Sequence, residues 1–315
     1  MNKLAIIIPA YKIDFFEETM KSIVDQTNHD FSVYIGIDAS PYDFETIIKK
    51  YTDRLDITYR RFEENLGGKD LVGQWKRCVE MAREEEWLWL FSDDDIMHPH
   101  CVEDFYETLR KTETERKNCY VYHFDVVVIN EKSQTVKNPS KYPKQISAID
   151  YYYCKMWNRL DSFVVENVFS RARYNEVGGF VSFDYAWGAD TASWISFMGN
   201  VPMRTIKGDS QILWRQSDKN ITPNNSHDLA LRKVKATMNF FDWSMCFFQN
   251  VKGFKCYNLL LIIQRLSYYS RFLGKKEVQD NTINVLLKYY SCVDAIFFII
   301  FFVAKIKNTY RNVGV

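Results

Sequence analysis

The sequence predicts an α/β protein: a mostly parallel, nucleotide-binding type of sheet flanked by helices, followed by a helical C-terminal extension. Three observations carry this expectation. Apolar runs alternate with amphipathic stretches from the first residues, one such run ends abruptly in three consecutive aspartates, and basic and aromatic residues become dominant near the C-terminus. Alternating strand and helix signals imply right-handed crossovers and parallel strands whose polar ends gather on one edge of the sheet. In open α/β sheets that edge binds ligands.

The elements follow in order. Leu4 to Ile8 is an apolar strand ending at Pro9-Ala10-Tyr11. Asp14, with Glu17 three positions later, forms a capping-box-like start for a helix running to about Gln26. Phe31 to Asp38 gives a second strand, Phe44, Ile47, Ile48 and Tyr51 mark a helix face, and Ile57 to Arg61 gives a third strand. After the loop Glu64-Asn65-Leu66-Gly67-Gly68-Lys69, residues Leu71, Val72, Trp75, Cys78, Val79 and Ala82 recur at helical spacing. The bulky run Trp87-Leu88-Trp89-Leu90-Phe91 then reads as a fully buried strand, the kind found at the centre of parallel sheets.

At 315 residues and 47% hydrophobic the chain can bury a substantial core, which excludes a disordered protein. The expected organisation is a catalytic domain over residues 1–220 and a helical extension over 221–315. Net charge is only +1, yet residues 252–315 carry ten Lys or Arg against three acids, leaving the rest of the chain acidic. No nucleic-acid partner is expected. Seven cysteines lack any Cys-x-x-Cys pair, which fits a reducing compartment, and the N-terminal apolar stretch is too short for a signal peptide. A cytoplasmic protein is the expectation. His98 and His100 flank Pro99 without a third ligand at zinc spacing.

Asp93, Asp94 and Asp95 follow the buried run directly. Clustered carboxylates repel one another unless a cation lies between them, and Mg²⁺ or Mn²⁺ held by one or two carboxylates takes its other ligands from phosphates and water. The alternative is a solvated turn in which an Asp caps the helix beginning near Pro99. Asp38, at the end of the second strand, is placed either to accept hydrogen bonds from a base or ribose or to cap a helix near Pro41. Gly67-Gly68-Lys69 would let backbone approach a phosphate, though neither a Walker spacing nor a dinucleotide fingerprint occurs.

The ordered set Ile6-Ile7-Ile8-Pro9-Ala10-Tyr11, Ile37-Asp38-Ala39-Ser40, Glu64-Asn65-Leu66-Gly67 and Phe91-Ser92-Asp93-Asp94-Asp95 resembles family 2 glycosyltransferases of the bacterial cell-surface polysaccharide type, with their GT-A fold. The resemblance spans roughly residues 3–215. It implies transfer of a sugar from a nucleotide-diphosphate donor with inversion at the anomeric carbon, UDP being favoured over GDP or dTDP. Carried over by position, Pro9, Ala10, Tyr11 and Asp38 would line the nucleotide, with Lys69 near the diphosphate. Asp93, Asp94 and Asp95 would share ribose and metal, with Asp93 and Asp95 as the metal pair of an Asp-x-Asp reading and Mg²⁺ or Mn²⁺ as cofactor. Two departures stand out. The common Asp-Asp-Gly-Ser is here Ile37-Asp38-Ala39-Ser40, and the frequent Ala-Arg-Asn is replaced by Gln74-Trp75-Lys76-Arg77.

An alcohol attacking in a single displacement must lose its proton as the bond forms, so the chemistry needs a base. Asp190, in Trp187-Gly188-Ala189-Asp190, matches the acceptor-side segment where a Glu-Asp pair usually opens a helix; Ala189 stands in the Glu position. Its bland role is a carboxylate at a helix start. Trp214-Arg215-Gln216-Ser217 with Asn220 reads as a loop closing on the diphosphate, or as a strand end packing Trp214 on the core. The Gln-x-x-Arg-Trp pattern of processive members is absent, which favours single-sugar addition.

In the tail, Phe240, Phe241, Trp243, Phe247 and Phe248, the segment Leu259 to Ile263 and the run 295–304 are apolar and bordered by Lys275, Lys276, Lys305, Lys307 and Arg311. Ten residues cannot cross a bilayer needing about 20. Basic, apolar helices instead suit peripheral docking on the anionic inner face of the membrane, where a lipid-linked or lipopolysaccharide-type acceptor would be presented. A helical bundle packed on the catalytic domain or a dimer seam is the alternative. Rival functions are a sugar-nucleotide pyrophosphorylase, which would need a Gly-rich, Arg-containing loop that Pro9-Ala10-Tyr11-Lys12 does not offer, and a non-catalytic membrane-associated scaffold.

Overall fold

Strand β1 (Leu4–Ala10) is buried along nearly its whole length because strands pair with it on both sides. The computed structural model describes residues 3–206, 208, 210–217, 226–269 and 272–291. After β1 come α1 (Phe16–Val24), β2 (Phe31–Ile37), α2 (Phe44–Lys49), β3 (Asp56–Arg61), α3 (Leu71–Val79) and β4 (Trp87–Leu90). This part is the alternation that the apolar runs imply. Parallel pairing in the order β3-β2-β1-β4 follows, with Ile6 opposite both Val33 and Trp89.

The chain continues as β5 (Ile96–Met97), α4 (Cys101–Thr114), β6 (Val121–His123), β7 (Val126–Ile129), β8 (Thr135–Lys137), β9 (Gln145–Ile146), α5 (Ala148–Met156), β10 (Asn167–Ser170) and α6 (Arg171–Glu176). A short 3-10 turn, α7 (Ala189–Met198), β11 (Met203–Thr205), β12 (Ile212–Arg215), α8 (His227–Phe247), α9 (Phe254–Tyr269) and α10 (Lys275–Tyr289) complete it. The main sheet runs β3-β2-β1-β4-β10-β6-β11-β9, and a smaller one runs β5-β12-β7-β8. The main sheet is mixed: β10 is antiparallel to both β4 and β6, and β9 is antiparallel to β11. The expected parallel character holds for the first four strands, joined by single helical crossovers, and lapses at β10 and β9, which run against their neighbours.

The chain divides into two compact units, Met1–Val181 with Ser193–Lys219, and Ser182–Ala192 with Asn220–Val315. The first has its core between the sheet and α1, α2 and α4, where Trp89 donates its indole N–H to Val165 O at 2.7 Å and stacks on Phe124 at 4.8 Å. Two helix starts differ from expectation. α1 begins at Phe16 with no side-chain cap, because its N-cap is Phe15, which has no polar side chain, and Glu17 pairs with Lys50 at 2.6 Å. α2 is capped by Asp43, which accepts from Thr46 N at 3.0 Å and so leaves Asp38 free of that task.

In the second unit the aromatic stretch folds inward. Phe240, Phe241 and Phe248 are buried, and Trp243 stacks between Phe240 and Phe247 at 6.0 and 5.0 Å. These rings serve the packing of the helices. Exposed apolar side chains concentrate on α9, at Tyr257, Leu260 and Tyr268. Among the described residues no helix is long and apolar enough to cross a membrane. The run 295–304, with Lys305, Lys307 and Arg311, lies outside the described residues, as does Asn220.

Ala39, directly after β2, has φ 49°. This is the position where the family pattern has glycine, and a Cβ in left-handed backbone costs roughly 1–2 kcal/mol. Replacement by glycine relieves that strain but raises the entropy of the unfolded chain, which returns part of the gain. Ala39→Gly is expected to raise unfolding free energy by about 0.5–1 kcal/mol in urea denaturation. A lower midpoint than wild type would show that the alanine is unstrained.

Candidate active site

β1 delivers the first parts of the site. As the chain leaves the strand, the amides of Tyr11 and Lys12 both donate to Asp93 Oδ2, each at 2.6 Å. The Lys12 ammonium meets Asp94 Oδ2 at 3.1 Å. Burial and the charge of Asp94 push the Asp93 carboxyl up to about 7, against the pull of the two amides and Lys12. For Lys12, burial works to lower the pKa, but Asp94 and Asp93 outweigh it and raise it. The strand-end aspartates therefore face a cation that the chain itself supplies.

Asp95 turns the other way. Its Oδ1 accepts the Arg215 backbone N–H at 2.6 Å and its Oδ2 the Ser92 hydroxyl at 2.6 Å, while its carbonyl accepts from Thr19 Oγ1 at 2.8 Å. Burial and Asp94 raise its pKa well above the ordinary carboxylate range. Asp95, expected as a metal ligand, accepts one protein donor on each carboxylate oxygen, and each oxygen keeps a further lone pair. Nor does any of the three cap α4, whose N-cap is His100.

Arg215, at the end of β12, is a buried cation. It donates Nε to Asp94 O at 2.8 Å, NH1 to Asn130 O and Ser133 Oγ at 3.1 Å each, and NH2 to Glu18 Oε2 at 2.8 Å, and it lies 4.1 Å from the centre of the Phe15 ring. Trp214 beside it packs on Phe163 at 4.5 Å. The stretch through Arg215 is thus a strand end anchored in the core.

Asp38 is buried and occupied. Oδ1 accepts Leu66 N at 2.7 Å and the Arg77 guanidinium, and Oδ2 accepts Gly67 N at 2.8 Å. Arg77 also stacks 3.8 Å over Phe62. A Cβ at Gly67 would stand 2.7 Å from Asp38 Oδ2, so only glycine allows this approach. Asp38 clamps the Glu64–Gly67 loop, and Lys69 lies exposed on the turn that follows. The same strand end ties back to β1: Asp38 N donates to Ala10 O at 2.9 Å, and Ser40 Oγ to Tyr11 O at 2.7 Å. Tyr11 keeps its ring 45% exposed, and Pro9 sits opposite Gly36 within the sheet.

The structure thus gathers Ala10, Tyr11, Asp38, Asp93 and Asp94 on one sheet edge, with Lys69 on the loop that Asp38 holds. Asp190 lies in the first turn of α7, half-buried, within the segment grouped with the other unit. Sequence reasoning missed Lys12 and Arg77 as site-building residues, and it placed Arg215 in a diphosphate loop or strand end without its contacts to Asp94 and Asp95. Lys12 directly follows the Pro-Ala-Tyr motif and was open to detection; Arg77 and Arg215 act over 39 and 120 residues of separation, which no local pattern records.

Among the described residues no three His, Cys, Asp or Glu side chains form a metal-binding group. A hard divalent ion that takes most of its ligands from a diphosphate and water needs only one or two carboxylates. Asp94 fits that requirement, sitting at the edge with Asp93 beside it, and Asp93 and Asp95 keep lone pairs beyond those their protein donors use.

No curated protein sequence matches the chain significantly. Solved structures with the same fold include S. aureus TarS residues 1–349 in complex with UDP-GlcNAc, at 14% identity and TM-score 0.56, covering 98% of this chain and 92% of that one. The mannosyltransferase PcManGT from Pyrobaculum calidifontis, in complex with GDP-Man and Mn²⁺, shares 14% identity at TM-score 0.51, covering 96% and 86%. The architecture is a GT-A-like α/β fold with a mixed sheet flanked by helices. The description Glycosyl transferase family 2 matches residues 5–160, and the chain belongs to that family of glycosyltransferases.

Proposed function

We propose that this glycosyltransferase moves a single sugar, with inversion, from a nucleotide-diphosphate sugar to a hydroxyl of a lipid-linked glycan. The observation that carries the reading is the pairing of Lys12 with Asp94 at the strand-end edge, beside the exposed Tyr11 ring. An aromatic face there suits a nucleobase, and an ammonium suits a phosphate. Asp38, whose oxygens accept from Leu66, Gly67 and Arg77, keeps its place at the nucleotide beside Pro9, Ala10 and Tyr11. UDP remains the favoured nucleotide, and the two similar structures, holding UDP-GlcNAc and GDP-Man, are consistent with a nucleotide-sugar donor of either base.

In the reaction Asp190 takes the acceptor's proton while the acceptor oxygen forms its bond to the anomeric carbon. The bond from that carbon to the diphosphate breaks, and its electron pair leaves with the phosphate, beside Lys12. Bound at Asp94, Mg²⁺ or Mn²⁺ would supply Lewis-acid stabilisation of the departing diphosphate. Asp93 and the amides of Tyr11 and Lys12 hold the edge rigid, and Lys69 on the neighbouring turn adds positive charge toward the phosphates.

Two variants separate these roles. Asp94→Asn is expected to weaken Mn²⁺-dependent UDP binding at least tenfold by titration calorimetry at unchanged thermal stability; wild-type affinity would remove Asp94 as the metal carboxylate. Asp190→Asn is expected to bind UDP normally and to lose about 10²–10⁴-fold in turnover of the donor, the usual worth of a general base. Full turnover would rule out the base.

The acceptor reading rests on the basic tail and on exposed Tyr257, Leu260 and Tyr268 of α9, which suit peripheral association with an anionic cytoplasmic leaflet. Removal of residues 292–315 leaves α10 intact. It is expected to release the protein from vesicles containing anionic lipid in a flotation assay, and continued flotation would exclude the tail as the anchor.

A further inference from the structure

The segment Ser182–Ala192, which carries Asp190, is held by the C-terminal helices. Its backbone is unusual: Tyr185 and Ala186 have φ 59° and 52°, and Gly188 has φ 84°. Successive left-handed residues with a Cβ cost roughly 1–2 kcal/mol each and persist only where their surroundings impose them. Here the surroundings are α8. Arg232 donates Nε to Asp184 Oδ2 at 2.9 Å and NH2 to Oδ1 at 2.6 Å, a two-pronged pairing, and its guanidinium lies 5.2 Å from the centre of the Tyr185 ring. One residue on, the buried Lys233 places its ammonium 4.5 Å from the centre of the Trp187 ring. Two turns later Phe240 meets Phe183 edge-on at 5.9 Å and closes over Gly188, where an added Cβ would stand 3.4 Å from the ring.

One helix therefore grips Phe183, Asp184, Tyr185, Trp187 and Gly188, and Asp190 follows two residues after the last of them. We infer that Arg232 and Lys233 are positioning residues for the acceptor-side base: α8 imposes the strained turn 183–188 and thereby fixes where the Asp190 carboxylate begins its helix. An exposed ion pair alone contributes only about 0–1 kcal/mol to stability. The paired geometry at Arg232 is better explained by the conformation it imposes than by the stability it adds. The inference rests on Asp190 acting as the base, and it gives the C-terminal helices a part in the chemistry.

Arg232→Met, Lys233→Met and the charge-exchanged pair Asp184→Arg with Arg232→Asp test it in the full chain. The probes are UDP with Mn²⁺ for binding, and UDP-GlcNAc and GDP-mannose turned over with water as acceptor. Misplacement of a catalytic group by about 1 Å costs on the order of 10²-fold in rate. Each single variant is expected to lose at least tenfold in turnover with nucleotide affinity unchanged, to exchange the amides of residues 183–190 with deuterium faster than wild type, and to leave those of 87–97 as they were. The exchanged pair is expected to recover most of both properties. Unchanged turnover with intact nucleotide binding overturns the inference, as does a parallel loss of turnover, affinity and thermal midpoint, which would mark a purely structural role. Should wild-type protein turn over neither donor, the functional reading fails by itself, and unaltered exchange at 183–190 in the Arg232 variant would still overturn the positioning claim.

Discussion

The buried Arg215 guanidinium is the interaction on which the strand-end site depends. It joins β12, the turn after β4, the Asn130–Ser133 turn and α1, and its own backbone amide is the donor that turns Asp95 inward. Deleting its side chain would return the half-exposed Glu18 to water but leave the carbonyls of Asp94 and Asn130 without their donor, a cost of about 1–3 kcal/mol for each buried group left unpaired. The backbone amide of Arg215 ties Asp95 to β12, while the amides of Tyr11 and Lys12 hold Asp93 from β1.

How far the sequence revealed this follows from the range over which each interaction acts. The strands β1, β2 and β4 were legible because a run of apolar side chains has few other uses, and the aspartate triplet was legible because its position after such a run fixes it to the sheet edge. Which aspartate does what was not legible. Asp93, Asp94 and Asp95 are neighbours of identical chemistry, and their different roles come from Tyr11 and Lys12 on one side and Arg215 on the other. Likewise Gln74-Trp75-Lys76-Arg77, which departs from the family pattern, hides a working residue: Arg77 reaches the Asp38 carboxylate and the Phe62 ring. Pattern comparison discards such a position, and only the fold restores it.

Ala39 is an instructive case of the opposite kind. The pattern omits the glycine, yet the backbone keeps the left-handed turn that glycine would adopt, at φ 49°. The turn is held from both sides, by Asp38 N on Ala10 O and by Ser40 Oγ on Tyr11 O. Two hydrogen bonds between adjacent strand ends are worth about 1–3 kcal/mol together, enough to offset the strain of one alanine. The geometry of the base-side turn is therefore a property of how β1 and β2 end, and the side chain at its tip is free to vary.

Charge balance connects this edge to its ligand. Four carboxylates, those of Glu18, Asp93, Asp94 and Asp95, share two cations, Lys12 and Arg215. Arg215 is fully enclosed by its partners, so at this edge an arriving diphosphate would compete with Asp94 for the Lys12 ammonium. The site as built repels its proposed substrate unless further positive charge comes with it. A divalent ion carried in by the diphosphate and completed by Asp94 resolves the conflict without any three-carboxylate cage, since such ions take most of their ligands from phosphate and water. On the proposed reading Asp94 is one of the one or two carboxylates such an ion needs, and the substrate's phosphates and water would supply the rest.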